Sequence, residues 1–457
     1  MLCNTDSIFR TLRRWRLGAA ERTVTALMRR FLPYGLSAHP VSRDRLPAAR
    51  RDHGYALYLH VPFCETLCPY CSFHRVPFRS ILADRYFDDL EREMHLAAEL
   101  GYRCDTLYVG GGTPTVAVDR LLGVIALARE LFGVKHVSCE THAHHLRPDI
   151  AGRLAGSVQR LSVGVQTLDP EILRRMRRDP DQFSPEITLA AIRAMNPLFR
   201  TLNIDLIFNL PGQTVDGLRN DLDRILETGV RQVTTYPLMS SPGVARDMEQ
   251  QLGRQSGSQE YEMFRIIESR MEQEGMRASS PWCYSREAAG MIDEYIVDKP
   301  EYVGLGSGAF SLLDGELHVN TFSLKQYSER IQEGRMSVER GRRFRPWELM
   351  HYRLMMGLFG LDFDRVGVTA ACQGPSRFLL ACELFLLRCA GAFQSGRFVL
   401  SHTGRYLSLA MMREFFAGMN QVRDESRALL PAWQRGELEV FGGSEHQCDG
   451  FKPVKRE

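Results

Sequence analysis

Cys64, Cys68 and Cys71 stand in the run Tyr58-Leu-His-Val-Pro-Phe-Cys-Glu-Thr-Leu-Cys-Pro-Tyr-Cys-Ser-Phe73, a CxxxCxxC spacing just after a short apolar stretch. Three thiolates on one tight loop can hold three irons of a [4Fe–4S] cluster and leave the fourth open, whereas an electron-transfer cluster normally takes four cysteines. The open iron is where chemistry can happen. A structural zinc site fits less well, because it needs a fourth close ligand, for which His60 and His74 are the candidates, and usually pairs C-x2-C units. A disulfide framework fits worst: the 11 cysteines in 457 residues are odd in number and scattered, and the chain does not open on a secretory signal.

Other residues invite a chemical reading. Gly110, Gly111 and Gly112 follow an apolar run, where glycines allow positive φ and close backbone approach to a ligand, or simply a tight turn. His142, His144 and His145 come just after Glu140, but nothing supplies a further metal ligand at diagnostic spacing, so a surface or substrate-adjacent cluster is expected. Arg178 ends the run Arg174-Arg-Met-Arg-Arg178, which alone reads as a solvated helix face. Asp205 lies inside an apolar strand pattern, and a charge there needs a partner. Trp282 and Tyr284 fit either the rim of an opening or the core.

The elements that must position these groups alternate. Strands are predicted at 56–61, 105–110, 136–140, 160–165, 202–208 and 232–236, and helices near 81–100, 118–132, 148–155, 185–196, 215–229 and 258–275. Repeated strand-helix units imply an α/β fold with a parallel sheet wrapped by helices. Loops at the C-terminal ends of the strands carry function in such parallel folds, and the cysteine loop follows the first strand there.

The motifs in their order, CxxxCxYC, Gly110-Gly-Gly-Thr-Pro-Thr115, Arg160-Leu-Ser-Val-Gly-Val-Gln166, Asp205-Leu-Ile-Phe-Asn-Leu-Pro-Gly-Gln-Thr214 and Gly304-Leu-Gly-Ser-Gly-Ala-Phe-Ser311, resemble the radical SAM superfamily, and within it the oxygen-independent coproporphyrinogen III oxidase-like (HemN/HemW-like) group. The resemblance spans roughly residues 55 to 420. It implies a partial parallel (β/α)6 barrel and a small helical, winged-helix-like C-terminal domain. It also implies a [4Fe–4S] cluster on Cys64, Cys68 and Cys71, and S-adenosylmethionine as one molecule or two. By the same resemblance Tyr58 lies against S-adenosylmethionine, Gly110, Gly111, Gly112 and Thr113 meet its amino group, and Glu140, Gln166, Arg178 and Asp205 line its pocket. Ala143 stands where the family usually has proline. No residue is singled out as a catalytic acid or base.

The activity implied is reductive cleavage of S-adenosylmethionine to methionine and a 5′-deoxyadenosyl radical, in an oxidoreductase acting on a tetrapyrrole or similar hydrophobic substrate. A methyltransferase using two molecules of S-adenosylmethionine and a non-catalytic haem-trafficking protein are the alternatives. Departures from the branch patterns keep them open. Ser72-Phe73 occupies the place of the further cysteine of true oxidases, and Asp293-Glu-Tyr-Ile296 lacks the HNxxYW of the haem-chaperone branch. Tyr236-Pro-Leu-Met-Ser-Ser-Pro-Gly243 also departs from the common YxLxxExGT.

Composition agrees with a soluble enzyme: 44% hydrophobic and 25% charged residues are ordinary for a globular chain, and no apolar run is long enough to span a membrane. Reduced thiols point to the cytoplasm. The expected partners are a hydrophobic or anionic small molecule and a low-potential electron donor, with no nucleic acid. The net charge of +3 hides an asymmetry, because residues 1–51 hold eleven arginines against three acids, +8, leaving −5 for the rest. Ile8, Leu12 and Trp15, then Val24, Leu27, Met28 and Phe31, recur at helical spacing. Residues 1–51 therefore read as a basic amphipathic helical segment, either a helical cap on the core or a contact with an anionic membrane or an acidic substrate. The organisation expected is this segment, a barrel over 52–335, Val338–Arg345 as an arginine-rich linker, a C-terminal domain over 346–425 with a strand pair between Ala392 and Leu400, and a loosely ordered tail over 430–457.

Overall fold

The computed structural model describes residues 17–29, 38–41, 44–51, 53–178, 184–239, 242–255, 259–287, 295–361, 375–394 and 399–430. Six parallel strands form its centre: β1 Tyr55–Val61, β2 Cys104–Gly111, β3 His136–His142, β4 Arg160–Gln166, β5 Thr201–Phe208 and β6 Gln232–Pro237, each hydrogen-bonded to the next. β1 is buried along its whole length, as strands covered on both faces must be. The predicted strands match to within two residues at each end.

The sheet extends further than predicted. Beyond β6 it gains β7, Cys283–Ser285, and beyond β1 come β8 Tyr302–Leu305, β9 Phe310–Leu313, β10 Glu316–Asn320 and β11 Val338–Arg343. β8 pairs with β1 in parallel, so the glycine-rich Gly304–Gly308 loop emerges beside the cysteine loop. β11 corrects the linker reading of Val338–Arg345. Its arginines are held by acids, Arg342 by Glu348 at 2.7 Å and Arg343 by Glu316 at 3.1 Å, which lets a charged stretch serve as a strand near the sheet edge.

Helices cover the strands through apolar faces. α2, Ser80–Glu99, buries Ala83, Tyr86, Phe87, Leu90, Met94 and Ala97, one stripe at helical spacing. α3 Val118–Phe132, α4 Pro148–Leu154, α5 Pro170–Arg175, α6 Pro185–Met195, α7 Val215–Leu226, α8 Pro242–Leu252 and α9 Glu260–Gln273 follow. Trp282 and Tyr284 are both 1% exposed, so the core takes them and not an opening.

Two short helices, α10 Tyr295–Asp298 and α11 Leu324–Gln332, come next, and the C-terminal helical domain holds α12 Pro346–Phe359, α13 Pro375–Cys389 and α14 His402–Ala428, with a strand bridge between Phe393 and Leu400. Residues 17–29 form α1, whose Val24 and Met28 pack on the core while Leu27 is exposed. Ion pairs from Arg413 to Glu21 at 3.6 Å and from Arg29 to Glu414 at 2.7 Å dock α1 on α14, the behaviour of a cap. Ile8, Leu12, Trp15 and Phe31 lie outside the described residues, as does the tail from 431. No helix among the described residues is long and apolar enough to cross a membrane.

Candidate active site

A cavity of ≈ 280 Å³ opens at the C-terminal ends of β1 to β6. Tyr58, Cys64, Cys68, Cys71, Gly111, Gly112, Thr113, Glu140, Gln166, Arg178 and Asp205 all line it. Of the residues expected at the site only Gly110 does not, and it lies beneath Glu140: a Cβ on Gly110 would stand 2.9 Å from that carboxylate.

The cysteine loop is fixed from two sides. The Gly112 and Thr113 N–H groups donate to Val61 O and Phe63 O, both at 2.7 Å, and a Cβ on Gly112 would fall 2.5 Å from Phe63 O, so this position has room for glycine alone. Arg75 donates to Cys68 O at 2.7 Å and to Cys71 O at 2.8 Å, closing the loop over the cavity. Burial, with Cys71 and Cys68 nearby, pushes the Cys64 thiol up to about 12, so a cationic partner is what would favour its thiolate.

Glu140 Oε1 accepts from the Tyr108 hydroxyl at 2.8 Å and Oε2 from the Gly111 N–H at 3.1 Å. Asp205 has the partner its strand position demanded: Ser162 Oγ donates at 2.8 Å and Asn203 Nδ2 at 2.7 Å. Gln166 takes φ 75° at a register shift between β4 and β5, which turns the chain at the cavity floor. Arg178 is 7% exposed and donates to Gly164 O at 2.6 Å, which corrects the solvated-face reading of its arginine run. α5 ends at Arg175, and Arg177 at φ 56° turns Arg178 inward.

Behind the loop lies a chain of neutral histidines. Burial lowers His60 to about 4. Its Nε2 faces His74 O at 2.9 Å and so carries the proton, leaving Nδ1 to accept from Tyr58, whose ring stacks on Tyr295 at 4.5 Å. His142 lines the cavity and is held neutral by burial with Arg178 near, whereas His145 is taken by Thr115 and Glu65. Among the described residues no three His, Cys, Asp or Glu side chains close on one point to hold a single metal ion. The three thiols share the cavity wall instead, and a cluster takes one thiolate per iron where zinc takes all its ligands on one atom.

Sequence reasoning missed the opposite wall. α14 contributes Phe415, Phe416, Met419, Asn420 and Arg423, facing Ile207, Leu238 and Met239 at the ends of β5 and β6. The signal was present as a helical stripe, but such a stripe is normally core. Arg75, four residues after Cys71, was also missed.

Residues 58–225 match the radical SAM superfamily. The heme chaperone HemW of Bacillus subtilis is 29% identical over 290 residues, covering 60% of this chain and 76% of its own. The oxygen-independent coproporphyrinogen III oxidase of Escherichia coli is 26% identical over 310 residues, covering 63% and 67%. The solved structure of coproporphyrinogen III oxidase (HemN) from Escherichia coli superposes with TM-score 0.65 at 21% identity, over 79% of this chain and 90% of that one, so the fold is shared. Residues 58–225 carry a radical SAM domain, and the relatives that the chain resembles stand in the HemN/HemW-like group. The cofactors of such a domain are a [4Fe–4S] cluster and S-adenosylmethionine. The residues present fit both: three thiols on one cavity wall, and beside them a glycine backbone, with no room for a side chain at Gly112 and a positive φ at Gly111.

Proposed function

We propose that the chain is an enzyme that cleaves S-adenosylmethionine reductively and acts as a coproporphyrinogen III oxidase-like oxidoreductase on a tetrapyrrole or similar hydrophobic substrate. The observation that carries this is the composition of one cavity, with thiols and a polar rim at the strand ends and an apolar wall from α14. When bound, cluster and S-adenosylmethionine supply one-electron cleavage of the sulfonium and hydrogen abstraction. Cys64, Cys68 and Cys71 hold three irons, and Arg75 fixes the loop that carries them. Gly111, Gly112 and Thr113 bring backbone against the ligand, while Glu140 and Asp205 offer carboxylates to its donors, with Gln166, Arg178 and Tyr58 shaping the rest of its pocket. Phe415, Phe416 and Met419 keep water from the reacting side.

Anaerobically reconstituted protein with dithionite should release 5′-deoxyadenosine and methionine, and alanine at Cys64, Cys68 or Cys71 should abolish both. A triple variant that kept full iron and sulfide would overturn the assignment. S-adenosylhomocysteine among the products would select the methyltransferase alternative. A second reading, haem handling without turnover, is favoured by the similarity to proteins named heme chaperone; haem transfer with no 5′-deoxyadenosine formed would select it.

A further inference from the structure

We infer that Arg423, with Asn420, is the seat for a carboxylate of the substrate; this rests on the reading of the cavity as the site of a hydrophobic, carboxylated molecule. Phe415, Met419, Asn420 and Arg423 reach the cavity from α14, a spacing that puts them on one helical face. That face runs from aromatic at Phe415 to cationic at Arg423 over eight residues, about 12 Å at 1.5 Å per residue. A ligand that matches it is apolar for most of that length and anionic at one end.

The polar end is built for a planar anion. The Arg423 guanidinium carbon lies 4.5 Å from the centroid of Phe73 and 5.6 Å from that of Phe310, which sets the plane of the group. Arg423 Nη1 donates to Asn420 Oδ1 at 2.5 Å, so the amide of Asn420 is turned with its NH2 arm as the donor side. A planar guanidinium beside an amide donor suits the two oxygens of a carboxylate. Charge in the neighbourhood favours an anion as well. Arg75 and Arg427 are close by, and Asp424, which takes Arg427 at 2.7 Å, is the acid among them. Burial lowers Arg427 below the usual arginine range; Asp424 offsets part of this, while Arg423 and Arg75 add positive charge on the same side.

The placement sets the orientation of the substrate. Phe73, against which Arg423 stacks, is two residues past Cys71, so a carboxylate held by Arg423 keeps the adjoining carbons on the cysteine-loop side and the apolar body against Phe415 and Met419. The assignment gives Ser72-Phe73 a purpose: Phe73 supplies the ring that orients the arginine.

The test compares coproporphyrin III with its tetramethyl ester, the same macrocycle with the carboxylates masked, titrated by porphyrin fluorescence into the reconstituted full chain with S-adenosylmethionine present. The native protein should bind the acid at least about tenfold more tightly than the ester, and Arg423→Gln should remove most of that preference while its ester affinity stays native. Arg423→Lys, which keeps the charge without the fork, should recover part of the preference. An acid preference unchanged in Arg423→Gln overturns the assignment and leaves the substrate class standing. Equal loss of acid and ester marks a structural arginine and overturns it too. A native protein that binds neither porphyrin defeats the tetrapyrrole reading, and this assignment with it.

Discussion

Glu140→Gln separates the charge of the site from its shape. The native carboxylate accepts on both arms, from Tyr108 at 2.8 Å and from the Gly111 N–H at 3.1 Å. A glutamine can turn its oxygen to Gly111 and donate from its nitrogen to Tyr108, whose hydroxyl accepts as readily as it donates. The fold should therefore hold, at a cost of about 0.5–1.5 kcal/mol. A charge-assisted bond to a donor of S-adenosylmethionine is worth about 1.5–3 kcal/mol more, which is roughly 10- to 150-fold in dissociation constant. Anaerobic equilibrium dialysis of the cluster-loaded variant should show a loss in that range with iron content unchanged. Gly110→Ala should weaken binding in the same direction, because its Cβ would displace the carboxylate without removing it. Native affinity in a cluster-loaded Glu140→Gln protein would refute the role given to this residue.

Arg427 donates to Ser72 O at 3.0 Å, so Arg427→Ala should speed iron loss to a chelator while leaving the circular dichroism of the fold intact; a native rate of loss would mean that α14 does not steady the loop. Glu93 gives a pH prediction. It accepts from the Gly306 N–H at 2.6 Å, Tyr327 at 2.9 Å and Ser337 at 3.0 Å, yet burial pushes it from 4.5 to about 7. A carboxyl raised on folding contributes stability that is whole below about 4.5 and is lost as pH rises through about 7, a difference on the order of a few kcal/mol. Glu93→Gln should flatten the fall in urea midpoint of the apoprotein between pH 5 and pH 8, and an unchanged slope would count against this origin.

The parallel centre was legible because β1 to β6 are apolar runs broken by amphipathic helices, a signal carried by short-range order. β8 to β11 were not. Tyr302–Leu305 is four residues long, and of the three arginines in Val338–Arg343, Arg343 finds its acid at Glu316 and Arg340 at Glu425, 27 and 85 residues away, so its strand character depends on partners a local window does not contain. The thiols were legible as one group from their spacing, since they sit on one loop, whereas the glycines alone read equally as a tight turn and gained a ligand role only from the order of the motifs. Arg178 was misread because a run of arginines says nothing about where a helix stops. The α14 wall escaped notice because which face of a helix meets a cavity is decided by the whole fold.

The bond from Arg427 to Ser72 joins residues 355 apart in the chain. At about 5–20 residues per second of synthesis, roughly 20–70 s pass between the emergence of the cysteine loop from the ribosome and that of the helix that closes over it. Through that interval the barrel strands emerge around the thiols, but the α14 wall of the cavity is absent. α14 thus sets a time as well as a wall: until it emerges, the cysteine loop lacks the bond from Arg427 that ties it to the C-terminal domain.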